Sequence, residues 1–254
     1  MKRQSPKWEE SIAIFRKGDF LLTSERRAHI ITIKQLFNSL DRKVGGVNVS
    51  VQYKMISKFY DLLDVIYFNH DETSPRKAIV DLISDQETKV LEVCIGTATN
   101  SIIIAENRKN ADVIGIDLSK EMLALAKDKI ERKGIKNIKT LIMDATNMDF
   151  ADNSFDVILI SLVLHEVNDR IRDRIMVEAK RVLKSTGKII IVEWDQPRKP
   201  IQKLLFSPIK AFEPKGFREF LQLNMSEYVA QFSLEVLQEK KCDFTRVLEI
   251  SKGK

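Results

Sequence analysis

Cysteine is scarce in this 254-residue chain: Cys94 and Cys242 stand far apart, each in an apolar stretch. Such a pair makes no disulfide scaffold and suits a reducing compartment. CxxC and CxxH spacings are absent, which argues against a zinc site, and no metal is expected. Long apolar runs are missing too. None approaches the roughly 18 residues needed to cross a bilayer, so no transmembrane segment is expected. The N-terminal MKRQSPKWEESIAIF begins basic but has no sustained apolar core and no small-residue cleavage site. It does not read as a secretory signal, and a cytoplasmic location is the expectation.

What is present is an ordinary globular composition, 44% hydrophobic and 31% charged, in a chain long enough to bury a core without cross-links. The length fits one α/β domain with an elaboration. The net charge of +6 is unevenly spread: residues 1–50 hold ten Lys/Arg against five Asp/Glu, residues 51–254 hold 32 against 31. The excess sits in an N-terminal arm. A basic arm suits contact with phosphate groups, and a solvated helical face is the plainer account.

Helical spacing governs the first third of the chain. One helix is expected behind Ser24, a second over 53–68, and a third over 75–83, opening on a proline at a helix-start position. Residues 88–194 then alternate short Val/Ile/Leu runs with helical patterns. Strands are expected at 89–94, 112–117, 138–143, 155–161 and 188–193, and helices at 100–108, 120–133 and 169–183. Continuous apolar runs suit strands buried on both faces, and repeated βα units indicate a doubly wound, mostly parallel sheet. After a proline-punctuated stretch comes a helix at 226–232. Two strands at 234–240 and 244–250 then form a terminal antiparallel hairpin, giving seven strands in all.

In an open parallel sheet the ligand lies beyond the carboxyl ends of the strands. The residues there are informative. The first strand runs through Glu92 into Cys94-Ile-Gly96-Thr97-Ala98, where small residues allow close backbone approach. The second ends on Asp117, 25 residues after Glu92, near the spacing of a ribose-binding acid. Its other reading is a helix cap, but Ser119 suits that role better. The third ends on Asp144. Three carboxylates at successive strand ends suit a cationic sulfonium, ribose hydroxyls and an adenine amine better than a phosphate-bearing dinucleotide.

The succession VLEVCIGTA, VIGIDLSKEML, MDATNMDFADNSFDVI, LVLHEV and LKSTGKIIIVEWD resembles the class I S-adenosylmethionine-dependent methyltransferases. Within them it is most similar to the ubiquinone/menaquinone C-methyltransferases and related phospholipid N-methyltransferases. The resemblance spans about residues 53–250, leaving 1–52 as a helical arm or lid, and implies a Rossmann-like fold with S-adenosylmethionine as cofactor. It implies that Glu92 lies near the methionine portion and that Cys94, Gly96 and Thr97 belong to the loop beneath the cofactor. Asp117 would take the ribose, with Leu118 and Met122 flanking the adenine. Asp144 and Ala145 would recognise the adenine edge, Ser161 and Leu162 would lie beside the methionine part, and Tyr60 would cover the cofactor.

Where the family's first motif reads G-x-G-x-G, this chain has Cys94, Gly96 and Ala98. If the first or last needs φ > 0, its Cβ costs roughly 1 kcal/mol or more. On the acceptor side two readings of His165 stand: a general base or substrate-orienting group, and a structural hydrogen bonder. Trp194 and Asp195 fall on the same side, where Trp194 lines an acceptor pocket or packs. The Asn/Asp-Pro-Pro-Tyr/Phe motif of nucleic-acid amino-methyltransferases is absent, which disfavours a nucleic-acid substrate. The apolar stretch 201–212 fits a small-molecule or lipid-like acceptor met at a membrane surface, or an ordinary packed helix. The arm is also a candidate contact for a homodimer. Two other classes remain open: a non-catalytic module that binds the cofactor, and a nucleotide-dependent oxidoreductase.

Overall fold

The computed structural model describes residues 73–86, 88–197, 199–200, 202–204, 206–207, 216–242 and 244–253. The arm, the helices expected behind Ser24 and over 53–68, Tyr60, and much of the stretch 201–212 lie outside the described residues.

Helix α1 (Pro75–Leu82) begins as its sequence dictates, with Ser74 accepting from the Arg76 N–H and Pro75 where no N–H is needed. There follow β1 (Thr88–Val93), α2 (Thr99–Asn107), β2 (Ala111–Asp117), α3 (Lys120–Arg132), β3 (Ile138–Ile142), β4 (Phe155–Ser161), α4 (Asp169–Val182) and β5 (Leu183–Trp194). Two short helices, α5 (Phe217–Gln222) and α6 (Met225–Ala230), precede β6 (Leu234–Lys241) and β7 (Thr245–Lys252).

The seven strands form one sheet in the order β3-β2-β1-β4-β5-β7-β6. Strands β1 to β5 pair in parallel, while β7 runs antiparallel to both β5 and β6. The chain moves outward from β1 to β3, then returns to the other side of β1 for β4. Order therefore reverses between β1 and β4, and the loops leaving those two strands flank the crevice where such sheets bind ligands.

Alternation divides the core. Val157 and Leu159 of β4 join Ile79, Ile104 and Val113 on one face. Ile158 and Ile160 join Ile175, Met176 and Ala179 of α4 on the other. Strand β5 starts five residues earlier than its sequence suggests. Leu183 pairs with Phe155, and the register then shifts so that Lys188 pairs with Val157. Lys184-Ser-Thr-Gly187, which reads as a turn, is absorbed as a bulge, so α4 passes into β5 with no loop. No helix among the described residues is long and apolar enough to cross a membrane.

One close approach ties the core to the crevice. A Cβ at Gly115 of β2 would lie 2.8 Å from Ile95 Cγ1 and 2.9 Å from Ile95 Cβ, in the loop after β1. Gly115→Ala is expected to destabilise the protein by roughly 1–3 kcal/mol, the usual result of overpacking a core. Urea denaturation measures this. Unchanged stability would mean that the loop yields freely.

Candidate functional site

The loop from β1 to α2 is bent by three left-handed residues in five: Cys94 (φ 55°), Gly96 (φ 54°) and Ala98 (φ 64°). The condition posed by the sequence is met at both non-glycine positions. Neighbours hold the bend. Ile95 N–H donates to the Ile116 carbonyl (2.9 Å), Ala98 N–H to Ile95 (3.0 Å), and Ile102 N–H back to Ala98 (2.9 Å). No described heavy atom lies within 4 Å of where a Gly96 Cβ would stand, so the loop faces open space there. Behind it, Lys129 of α3 donates to Thr97 Oγ1 at 3.2 Å.

Glu92 does not face that space. It is buried beneath the start of α2, accepting from Asn100 Nδ2 (3.1 Å), the Ser101 N–H (3.0 Å) and the Ser101 hydroxyl. Burial pushes its carboxyl up from 4.5 to about 7, against the pull of those hydrogen bonds. The continuous rim of three carboxylates expected from the sequence is thus two outward acids and one beneath the loop. The buried one satisfies a free helix N-terminus.

Asp117 joins two loops: one oxygen accepts from the Gly96 N–H (3.0 Å), the other from the Ser119 N–H (2.9 Å). Ser119 caps α3 as expected, accepting from the Met122 N–H at 3.2 Å. A carboxylate has room for further donors, so Asp117 retains capacity for hydroxyls. Beyond it Leu118 is 67% exposed, Met122 half-buried and Ala145 buried. Asp144 is exposed and accepts from both the N–H and the hydroxyl of Thr146 (2.8 Å each). These bonds hold its carboxyl below the ordinary range, with a smaller contribution from Arg174. Leu118, Asp144, Ile171 and Arg174 line an open groove of about 550 Å³.

Cys94 reports how closely the acids gather. Burial first, then the charges of Asp117, Glu166, Asp144 and Glu92, push its thiol up to about 12. The thiol stays neutral and unreactive.

Across the crevice, the turn after β4 is held on both sides. Leu162 is left-handed (φ 56°) and its N–H reaches the Val192 carbonyl (2.8 Å). Glu193 of β5, fully buried, accepts from the N–H groups of Val163 (3.1 Å) and Leu164 (2.8 Å), and its second oxygen faces His165 Nδ1 at 2.6 Å. The carbonyls go to Arg172 of α4, whose Nε donates to Leu164 (2.8 Å) and Nη2 to Val167 (3.2 Å). The His165 ring is buried, edge-on to Phe217 at 5.4 Å. Ser161 ends β4, half-buried, beside Leu162. Trp194 packs edge-on to Phe206 (5.5 Å), and Phe206 stacks on Phe244 (6.2 Å).

Sequence reasoning passed over Ser101, Glu166, Arg172 and Glu193. Glu193 alone carried a signal, a carboxylate between Val192 and Trp194 in an otherwise apolar run.

The ubiE/COQ5 methyltransferase family model matches residues 39–214. A demethylmenaquinone methyltransferase of Staphylococcus aureus (strain JH9) is 30% identical over 190 residues, which cover 74% of this chain and 77% of that one. Among solved structures, an S-adenosylmethionine-dependent methyltransferase from Aquifex aeolicus superposes with a TM-score of 0.62 at 18% identity, covering 78% of this chain and 97% of its own. The [4+2]-cyclase SpnF superposes with a TM-score of 0.54 at 16% identity, over 74% and 86% of the two chains. At these identities the structural matches speak for the fold.

Two tests follow from the loop. A left-handed alanine is strained by about 1–2 kcal/mol, while losing a buried methyl costs about 0.8 kcal/mol. Ala98→Gly is therefore expected to leave the melting temperature unchanged or higher. Ala105→Gly, equally buried but inside α2, should lower stability by about 1 kcal/mol or more. Equal losses from both would contradict strain at Ala98.

Glu92 binds its proton more tightly folded than unfolded, so it subtracts stability as pH rises from 4.5 through about 7. A tenfold difference in proton affinity is worth about 1.4 kcal/mol, so Glu92→Gln should gain roughly 2 kcal/mol relative to the parent between about pH 5 and pH 8. Denaturation of both proteins at the two pH values checks this. A pH-independent difference would refute it.

Proposed function

The chain belongs to the ubiE/COQ5 methyltransferase family, and from that premise we propose that it methylates a ring carbon of a demethylmenaquinone-like quinol. It is an S-adenosylmethionine-dependent methyltransferase, which sets aside the oxidoreductase and the non-catalytic module. The observation that carries the choice of acceptor is the kinship with a demethylmenaquinone methyltransferase over about three quarters of both chains.

The residues at the crevice fit the cofactor. Open space at Gly96 leaves room beside the loop. The outward carboxylates of Asp117 and Asp144 suit ribose hydroxyls and an adenine amine, and exposed Leu118 offers an apolar face to the ring. The neutral Cys94 thiol adds no competing charge. When bound, S-adenosylmethionine supplies an electrophilic methyl carbon on a positively charged sulfur. In this reading Asp117 holds the ribose, with Leu118, Met122, Asp144 and Ala145 around the adenine. Gly96 and Thr97 lie beneath, and Ser161 and Leu162 border the methionine portion. Methyl transfer gains chiefly from such positioning in a preorganised electrostatic environment. A quinol carbon that takes a methyl must also shed a proton, and His165 is the candidate to hold it.

The full chain is to be incubated with methyl-labelled S-adenosylmethionine and either demethylmenaquinol or phosphatidylethanolamine in detergent. Label is expected in the quinol; label in the phospholipid alone would overturn the choice. Asp117→Ala should raise the dissociation constant for S-adenosylmethionine about tenfold or more, as expected for losing a charged acceptor. Calorimetric titration measures it. Unchanged affinity removes Asp117 from the site, and Asp117→Asn separates loss of charge from loss of the tie to Gly96.

A further inference from the structure

We propose that Ile171, on the first turn of α4, is a cofactor-binding residue that holds the adenine ring of S-adenosylmethionine between itself and Leu118. The inference rests on the reading that the adenine lies beside Leu118 and Asp144, and it adds a wall from a third segment of the chain. Sequence reasoning gave Ile171 no role beyond its helix.

The open groove of about 550 Å³ draws on three such segments: Leu118 after β2, Asp144 and Thr146 after β3, and Asn168, Ile171 and Arg174 at the start of α4. Leu118 and Ile171 are its apolar side chains, 67% and 38% exposed. A single apolar side chain in water needs no explanation. Two from segments about 50 residues apart, lining one groove with a few polar groups, make a slot for a flat ring with a polar edge. Met122 is half-buried and Ala145 buried, so neither offers the apolar area that Ile171 does.

Ile171 is held in place before any ligand arrives. Its N–H donates to the α4 cap, Asn168 Oδ1, at 3.1 Å. The next residue, Arg172, is tied to the Leu164 carbonyl at 2.8 Å. A β-branched side chain in a helix has few rotamers to lose, so contact with a ring costs little ordering.

The polar end of the groove suits the same ring. The N–H and hydroxyl of Thr146 both go to one oxygen of Asp144, and the other oxygen accepts nothing from the described residues. Arg174, one turn beyond Ile171, helps keep that carboxyl ionised. An ionised carboxylate only accepts, so it takes the adenine amine and repels the oxygen that hypoxanthine carries at that position.

Calorimetric titration with S-adenosylhomocysteine and thermal melts compare the full chain with Ile171→Ala, Ile171→Leu and Leu118→Ala. Ile171→Ala is expected to weaken binding about fivefold, as for withdrawing part of an aliphatic side chain from a ligand contact. Its melting temperature without ligand should hold, because Ile171 is exposed there. Ile171→Leu should restore most of the affinity. Titrations at several temperatures should give a less negative heat-capacity change in Ile171→Ala, since less apolar surface leaves water on binding.

A merely structural Ile171 would lower affinity and melting temperature together, leave the heat-capacity change unaltered and resist rescue by leucine. That result overturns the inference, as does unchanged affinity in Ile171→Ala. If Leu118→Ala weakens binding while Ile171→Ala does not, the inference fails alone and the adenine reading stands. If neither variant weakens binding, the adenine lies outside the groove and both fail.

Discussion

Where parallel strands end, the first N–H groups of each following turn lose their sheet partners and have no helix partner yet, and unpaired they are costly to bury. Carboxylates meet this constraint throughout the C-terminal edge of the sheet. Glu92 serves Ser101, Asp117 serves Gly96 and Ser119, Asp144 serves Thr146, and Glu193 serves Val163 and Leu164. Each acid stands on or just after one strand. All but Asp144 reach the N–H groups of another segment: Glu92 the next helix, Asp117 the loop after β1, Glu193 the turn after β4. The edge is a network of strand ends and neighbouring loops, so the shape of the crevice follows from where the acids stand.

The same acids set the electrostatics. Negative charge gathered at a crevice suits a cation, but buried charge is expensive unless hydrogen-bonded. Two outcomes appear. Asp144 stays outside and readily ionised, whereas Glu92, beneath α2, holds its proton to about 7 despite three donors. Desolvation outweighs hydrogen bonding at Glu92 and loses to it at Asp144. The loop between them carries strain at Cys94 and Ala98 that glycine would relieve. Burial of Ala98 against Ile102 and Leu123 of the helices behind it offsets part of that strain.

Much of this was legible in the sequence. The apolar runs ending at Asp117 and near Glu92 and Asp144 marked strand ends, because parallel strands buried on both faces leave polar residues only at their tips. Ser119 announced α3 and Pro75 announced α1. Less legible was anything requiring a partner distant in sequence. Nothing in Leu-Glu-Val shows that Glu92 turns under α2 rather than outward. The β5 bulge was hidden because Lys184-Ser-Thr-Gly187 has turn chemistry, and only pairing of Leu183 with Phe155 makes it strand. Glu193 was hidden for the opposite reason: it sits inside a strand, and its partners lie about 30 residues earlier.

The division of labour across the crevice follows from the reversal of strand order. The loop after β1 is shaped by left-handed backbone and tied to β2 through Asp117, which leaves its glycine beside open space. The turn after β4 is tied to β5 through Glu193 and to α4 through Arg172, which leaves His165 fixed among aromatic rings. Because β1 and β4 are neighbours, the two loops flank the same crevice. Ties on both sides leave less of either loop to be ordered on binding, an entropy cost that an untied loop would carry. The left-handed residues at 94, 98 and 162 fit this account, since strained conformations persist only where the surroundings over-determine them.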